Sequence, residues 1–278
     1  MSWWAIDVRT VAEKRDRMSA WLVARTGQAV EERDDGTLVT FAPDEASAQA
    51  LMLQLEREVD ATAQTGRRRL ETVDWSTRWR DGLGARRFGR LTVLPSWLPE
   101  ATTPDPLTVV LDPETAFGSG EHGSTRIALT LLEQLIQPGD QVMDLGSGSG
   151  ILAIAAVKLG ASRAIGIETD PEANQVAARN VERNGVSAQI ELLEGDAGVL
   201  APLAGPSDLL LSNILRRVNT ALLPAIADAL RKEGVAIFSG MEEAEAPMFH
   251  GALAAAGFST IREMGDTGWW GVAARRSP

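Results

Sequence analysis

Short runs of branched apolar residues alternate with segments whose apolar positions recur at helical spacing from about residue 122 to the end of the chain. This alternation predicts strands near 141–145, 163–168, 189–193, 208–212 and 234–239. It predicts helices near 122–136, 149–159, 171–184, 219–232 and 243–256. Strands that are apolar throughout and separated by helices form a parallel sheet covered on both faces. Two later strands, near 259–264 and 269–275, are suited to an antiparallel edge pair. The sum is an α/β fold with a doubly wound, mostly parallel, seven-stranded sheet.

The pattern before residue 62 is different. Trp3 to Val8 alternates as a strand, and Ala12 to Arg25 carries Met18, Trp21 and Leu22 at helical spacing, with Gly27 at its C-cap. Gln28 to Arg33 and Thr37 to Ala42 flank Asp34-Asp35-Gly36, a hairpin turn signal. Pro43-Asp44 opens a helix that places Leu51, Leu55 and Val59 on one face. Residues 1–62 therefore predict a small ferredoxin-like α/β domain, suited to substrate recognition because it holds no catalytic cluster. Gly66 to Arg69 is basic and polar, and predicts a linker. Residues 63–95 are expected to be linker and connecting helix, with Trp75 and Trp79 on one helical face. Packing against a neighbouring domain suits that pair better than gripping a partner. Arg90 to Leu94 and Leu107 to Leu111 read as strands about a Pro-rich loop, and residues 96–278 form the main domain.

Charge and composition narrow the function. The chain of 278 residues has a formal net charge of −11, no cysteine and two histidines, His122 and His250. That balance argues against strong direct nucleic-acid binding and leaves no disulfide, thiol nucleophile or His/Cys metal cage. No apolar run is long enough for a membrane span, and the N-terminus lacks signal-peptide features, so a cytoplasmic protein is expected. Residues 61–95 carry eight Lys/Arg against three Asp/Glu, while both flanking regions are acidic. An acidic body suits a basic partner, although a solubilising surface and a solvated linker would read the same way.

The candidate chemistry starts at Asp144-Leu145-Gly146-Ser147-Gly148-Ser149-Gly150, where an apolar strand ends in an acid and glycines open a helix. Glycines there let backbone pass close beneath a ligand. Ile151 stands where the dinucleotide fingerprint needs a third glycine. Asp144 is placed to meet a ligand ammonium or to brace the turn. Glu168 ends the second strand, 22 residues after Gly146, a spacing suited to ribose hydroxyls. Asp196 after the third strand suits an adenine amine, or a solvated turn. Asn213 ends the fourth strand, where it can orient an incoming amine, or simply form a turn. The stretch from Asp112 to Thr125 suits a loop that closes over a ligand with Phe117 excluding water, or a plain helix entry capped near Ser124 or Thr125.

Taken in order, Ala-Phe-Gly-Ser-Gly-Glu-His-Gly-Ser-Thr at 116–125, Asp-Leu-Gly-Ser-Gly-Ser-Gly-Ile-Leu-Ala at 144–153, Glu-Thr-Asp-Pro at 168–171, Arg-Asn-Gly-Val at 183–186 and Ser-Asn-Ile-Leu at 212–215 resemble the ribosomal protein L11 methyltransferase family. The resemblance runs from about Asp74 to the end. It implies a class I methyltransferase sheet, S-adenosylmethionine as donor, and a basic ribosomal protein methylated on lysine ε-amines and the α-amine. It also implies that the small N-terminal domain recognises that protein. Phe117, Gly118, His122 and Thr125 would then line the donor pocket, and Gly146, Gly148, Glu168 and Asp196 would hold the donor, with no metal required. Asn213 would sit beside the methyl group. The chain departs from the family pattern at Ser119, Glu121, Gly123 and Ser124, and Glu121 adds a charge on the acceptor side. The competing readings are a same-fold enzyme for another protein lysine and a non-catalytic nucleoside-binding module. A nicotinamide oxidoreductase is more distant, because of Ile151.

Overall fold

A computed structural model describes residues 3–26, 30–33, 35–60, 62–69, 84–114 and 116–277. The chain divides into two compact units, Met1–Arg78 and Trp79–Pro278. In the first, β1 (Trp4–Arg9), α1 (Arg15–Thr26), β2 (Glu31–Glu32), β3 (Leu38–Ala42), α2 (Glu45–Glu58) and β4 (Gln64–Arg69) follow in order. The antiparallel sheet runs β2-β3-β1-β4, the ferredoxin-like order. Ile6 and Val8 on one sheet face pack with Met18 and Leu22 of α1 and Leu51 and Leu55 of α2. Asp44 caps α2 by accepting from the Ser47 N–H at 2.7 Å.

One expectation is corrected here. Residues 66–69 are not a linker: they belong to β4, which pairs with β1 from Trp4↔Arg69 to Arg9↔Gln64. Its polar sequence hid it. An edge strand needs only backbone pairing on one side, and its exposed residues need not alternate. The strand supplies the βαββαβ pattern with its fourth member. Trp75 and Trp79, Gly27 and Asp34 lie outside the described residues.

The second unit contains the expected parallel sheet. Its strands are β8 (Gln141–Leu145), β9 (Arg163–Glu168), β10 (Ile190–Glu194), β11 (Ser207–Asn213), β12 (Leu230–Glu242), β13 (Phe258–Asp266) and β14 (Trp269–Arg276). They lie in the order β10-β9-β8-β11-β12-β14-β13. β14 is antiparallel to both neighbours, as the edge-pair expectation required. Reversal of strand order between β8 and β11 makes a crevice at their carboxyl ends.

Alternate residues of each strand feed two cores. Val142, Ala164, Leu209 and Ile237 face α3 (Gly123–Leu135), α4 (Ile151–Lys158) and α5 (Pro171–Arg183). Met143, Ile165, Leu210 and Phe238 face α6 (Ala197–Ala204), α7 (Arg216–Ala229) and α8 (Ala246–Ala255). Helix α4 is buried from Ile151 through Val157, because it is covered by the sheet on one side and by a smaller sheet on the other. That smaller sheet joins β5 (Arg86–Phe88), β6 (Leu91–Leu94) and β7 (Thr108–Val110). β6 and β7 lie where strands were expected at Arg90–Leu94 and Leu107–Leu111, whereas β5, expected in the connecting segment, is a further strand of the second unit. Helix α6 was not foreseen, since Gly198 and Pro202 interrupt its pattern; Asp196 caps it and Pro202 lies inside it.

Candidate active site

The glycine turn after β8 has the conformation its sequence requires. Gly146, Gly148 and Gly150 have φ of 68°, 52° and 80°, values costly for residues with a Cβ. A Cβ on Gly146 would lie 2.6 Å from Ile214 Cγ2, and one on Gly148 would lie 2.6 Å from the Phe117 carbonyl oxygen. The loop that carries Phe117 is therefore laid directly on the turn. Ser149 fastens it: its N–H donates to the Phe117 carbonyl at 2.9 Å and its hydroxyl to the Gly118 carbonyl at 2.6 Å.

Above this floor is a cavity of about 620 Å³ at the carboxyl ends of the strands. Of the residues singled out from sequence, Phe117, His122, Gly146, Gly148, Glu168, Asp196 and Asn213 line it. Gly118, Thr125 and Asp144 do not. Glu168 accepts from the Gly148 N–H at 3.1 Å through Oε2. Its Oε1 accepts from the backbone of Thr169 at 2.8 Å and Asp170 at 3.1 Å. Its charge is thus oriented by the turn that forms the floor. Asp196 spends Oδ1 on the Gly198 N–H at 2.7 Å, so it caps α6 and lines the cavity together.

Asp144 braces the turn. It is 1% exposed, and Oδ2 accepts from the Ala153 N–H at 3.2 Å. Among the described residues Oδ1 has no hydrogen-bond partner. Burial pushes its pKa up to about 7, opposed by the Ala153 N–H and raised further by the Glu168 carboxylate.

The wall on the β11–β12–β14 side is aromatic. The His122 ring stands 5.3 Å from Phe117, edge-on, and 4.3 Å from Trp269. Its Nδ1 meets Ser124 Oγ at 2.8 Å. Burial first, and the Arg126 charge second, hold its pKa below the usual histidine value, so at neutral pH the ring is uncharged. Phe117 is 55% exposed at the mouth, alongside exposed Leu215. On the same wall Asn213 Nδ2 donates to Thr125 Oγ1 at 3.2 Å. Among the described residues Asn213 Oδ1 is buried without a partner. Thr125, itself buried, thus holds the amide nitrogen.

Residues 2–277 match the profile of the family described as ribosomal protein L11 methyltransferase (PrmA). The chain belongs to this family. A ribosomal protein L11 methyltransferase from Pelotomaculum thermopropionicum is 35% identical over 273 residues, covering 98% of this chain and 83% of that protein. One from Thermus thermophilus is 39% identical over 196 residues, covering 70% of this chain and 75% of that one. A solved ribosomal protein L11 methylase from Lactobacillus delbrueckii subsp. bulgaricus superposes with a TM-score of 0.62 at 32% identity, covering 70% of this chain and 100% of that chain. The enzyme is a protein methyltransferase, and its seven-stranded sheet is the class I methyltransferase fold.

Two positions at and behind the cavity of this methyltransferase were not apparent from sequence. Trp269 lines the cavity, yet it lies over 50 residues beyond the last motif, in a hairpin that reads only as an edge pair. Asn219 is fully buried. Its Nδ2 donates to the carbonyls of Ile214 at 2.9 Å and Ser239 at 3.1 Å, and its Oδ1 accepts from Ser212 Oγ at 2.6 Å. It thereby fixes the exit of β11 on either side of Asn213. A lone polar residue on the apolar face of α7 was the available signal. Glu121, expected to charge the acceptor side, is paired with Arg86, whose Nε donates to Oε1 at 3.0 Å.

Proposed function

We propose that this enzyme uses S-adenosylmethionine to methylate amines of ribosomal protein L11, lysine ε-amines and the α-amine included, in the cytoplasm where that protein is made. The observation that carries the reading is the place of Asn213 on the cavity wall, with its amide nitrogen bound to Thr125 and its buried Oδ1 without a hydrogen-bond partner among the described residues. A buried acceptor without a donor is costly unless a ligand supplies one. A neutral amine has an N–H to give. Membership of the ribosomal protein L11 methyltransferase family, and the relative from Pelotomaculum thermopropionicum, support the substrate.

The residues fit the donor. Gly146 and Gly148 line the cavity, and the absence of a Cβ at each lets Ile214 and the Phe117 loop close on the turn. Glu168 Oε2 carries one donor and retains accepting capacity for a ribose hydroxyl. Asp196, one strand further out, lies where an adenine amine would follow. When bound, the donor supplies a sulfonium methyl, which requires an uncharged nucleophile aligned behind it. A free lysine amine, with a pKa of ~10.4, is mostly protonated at neutral pH. Apolar walls from Phe117, Leu215 and Trp269 disfavour the charged form, and uncharged His122 stands beside them. Asn213 Oδ1 then orients the amine, and Phe117 closes the mouth to water. Alignment, more than a strong base, drives the reaction.

Asn213→Ala tests this. Turnover is expected to fall about 10²-fold, within the range for removal of one positioned polar group, with S-adenosylhomocysteine affinity nearly unchanged. Unchanged turnover would remove Asn213 from the mechanism.

A further inference from the structure

The aromatic wall depends on a contact between elements far apart in sequence. Asp266 ends β13, Thr267 and Gly268 make the turn with φ of 50° and 82°, and Trp269 begins β14. Arg126, in the first turn of α3, grips this turn. Its Nε donates to Asp266 Oδ2 at 2.5 Å and one terminal nitrogen to Thr267 Oγ1 at 3.2 Å. The other terminal nitrogen donates to the Glu121 carbonyl. One guanidinium thus joins the hairpin turn, α3 and the loop that carries Phe117. From the opposite side, the Glu243 N–H donates to the Gly268 carbonyl at 3.0 Å.

Gly123 supplies a separate sign that the approach is tight. Its φ is not in the left-handed region, so glycine is not needed there for backbone freedom. It is needed for space. A Cβ would lie 2.7 Å from Trp269 Cδ1, 2.9 Å from the Asp266 carbonyl oxygen and 2.9 Å from Thr267 Oγ1. The first residue of α3 is packed directly against the turn that Arg126 holds.

We propose that Arg126 is a positioning residue for the acceptor amine: it latches the β13–β14 turn to α3, so that Trp269 stands against His122 and completes the wall beside Asn213. The inference rests on the proposed donor and acceptor roles of the cavity. Strand order assigns the latch to the acceptor side. Glu168 and Asp196 follow β9 and β10 on one half of the sheet, whereas Trp269 begins β14 on the other. Arginine suits the position because its planar fork reaches three acceptors at once, which a lysine ammonium on a single stem does not. Arg126 and Asp266 are 26% and 30% exposed at the side chain, so salt weakens the latch.

The test compares Arg126→Met, Arg126→Lys, Asp266→Asn and the Met/Asn double variant, reading acceptor kcat and KM against S-adenosylhomocysteine Kd. Arg126→Met is expected to lower kcat about tenfold, a modest misplacement effect, with Kd within about twofold of wild type. Lysine is expected to restore part of the loss. The double variant is expected to be no worse than Arg126→Met, because both changes open one latch. Wild-type kcat in Arg126→Met, a Kd loss as large as the kcat loss, or multiplying effects in the double variant would overturn the proposal. A readout independent of turnover is the ¹⁹F resonance of 5-fluorotryptophan at Trp269, assigned by its loss in Trp269→Phe. It is expected to shift or broaden in Arg126→Met, and an unmoved resonance would overturn the latch. Absence of methyl transfer by the wild type would count against the functional reading, with the resonance still deciding the latch.

Discussion

Gly148 shows how one residue shapes the cavity proposed to hold the donor. Its φ of 52° and the Phe117 carbonyl 2.6 Å from any Cβ exclude every other side chain. Gly148→Ala is expected to cost about 1–2 kcal/mol from the left-handed backbone alone. It is also expected to weaken S-adenosylhomocysteine binding at least about tenfold by lifting the Phe117 loop. Calorimetric titration checks this, and wild-type affinity would contradict it. Asp144 makes a second prediction through pH. Its pKa is pushed up to about 7 when folded, against 3.8 for an ordinary aspartate, so the folded state holds the proton more tightly. Between those values the unfolded chain loses the proton first, and stability falls with rising pH by up to about 1.4 kcal/mol per unit. Asp144→Asn keeps an acceptor for Ala153 and escapes that loss. Its melting temperature relative to wild type is expected to climb from about pH 4 to about pH 7 and then level off; a constant difference would contradict the assignment. These glycines and acids were legible because their spacing is local. Whether Asp144 faced the ligand or braced the turn was not legible, since burial depends on residues far away in sequence.

At the scale of elements, α5 shows that side chains can stand in for a strand. Asn180 accepts from the Asp112 N–H at 3.1 Å and donates to the Asp112 carbonyl at 3.1 Å and the Ser149 carbonyl at 3.0 Å. Asn184 does the same to Val110, at 2.9 and 2.7 Å. The pair closes the edge of the β5–β6–β7 sheet and ties the start of the Phe117 loop to the glycine turn. Asn180→Leu would leave one backbone N–H and two carbonyls without that partner. A loss of about 2–4 kcal/mol is expected, seen as lower thermal stability together with weaker donor binding. Unchanged values of both would contradict the tie. Periodicity revealed the parallel strands and their helices because each buries a continuous apolar face. It did not reveal β4 or α6. The first is an exposed edge made of Gln, Thr, Gly and Arg, and the second is broken by Gly198 and Pro202. In both, tertiary pairing overrides weak local preference.

At the scale of the whole molecule, the cavity-lining residues among those described all belong to the second unit. The ferredoxin-like unit has a core of its own, which accords with a proposed role in recognising the protein substrate. Substrate identity was legible only through motif resemblance, because no single residue specifies a partner as large as a ribosomal protein. The fold was more directly legible, since five short apolar strands in alternation with helices, followed by an edge pair, admit few arrangements. Methyl transfer to ribosomal protein L11 can be read out directly. The most direct measurement is incubation of the full chain with labelled S-adenosylmethionine and a lysate lacking this methylation, followed by mass spectrometry of the labelled protein. Label on lysine ε-amines or the α-amine of L11 is the predicted result. Label confined to another protein, or donor binding with no label at all, would contradict it.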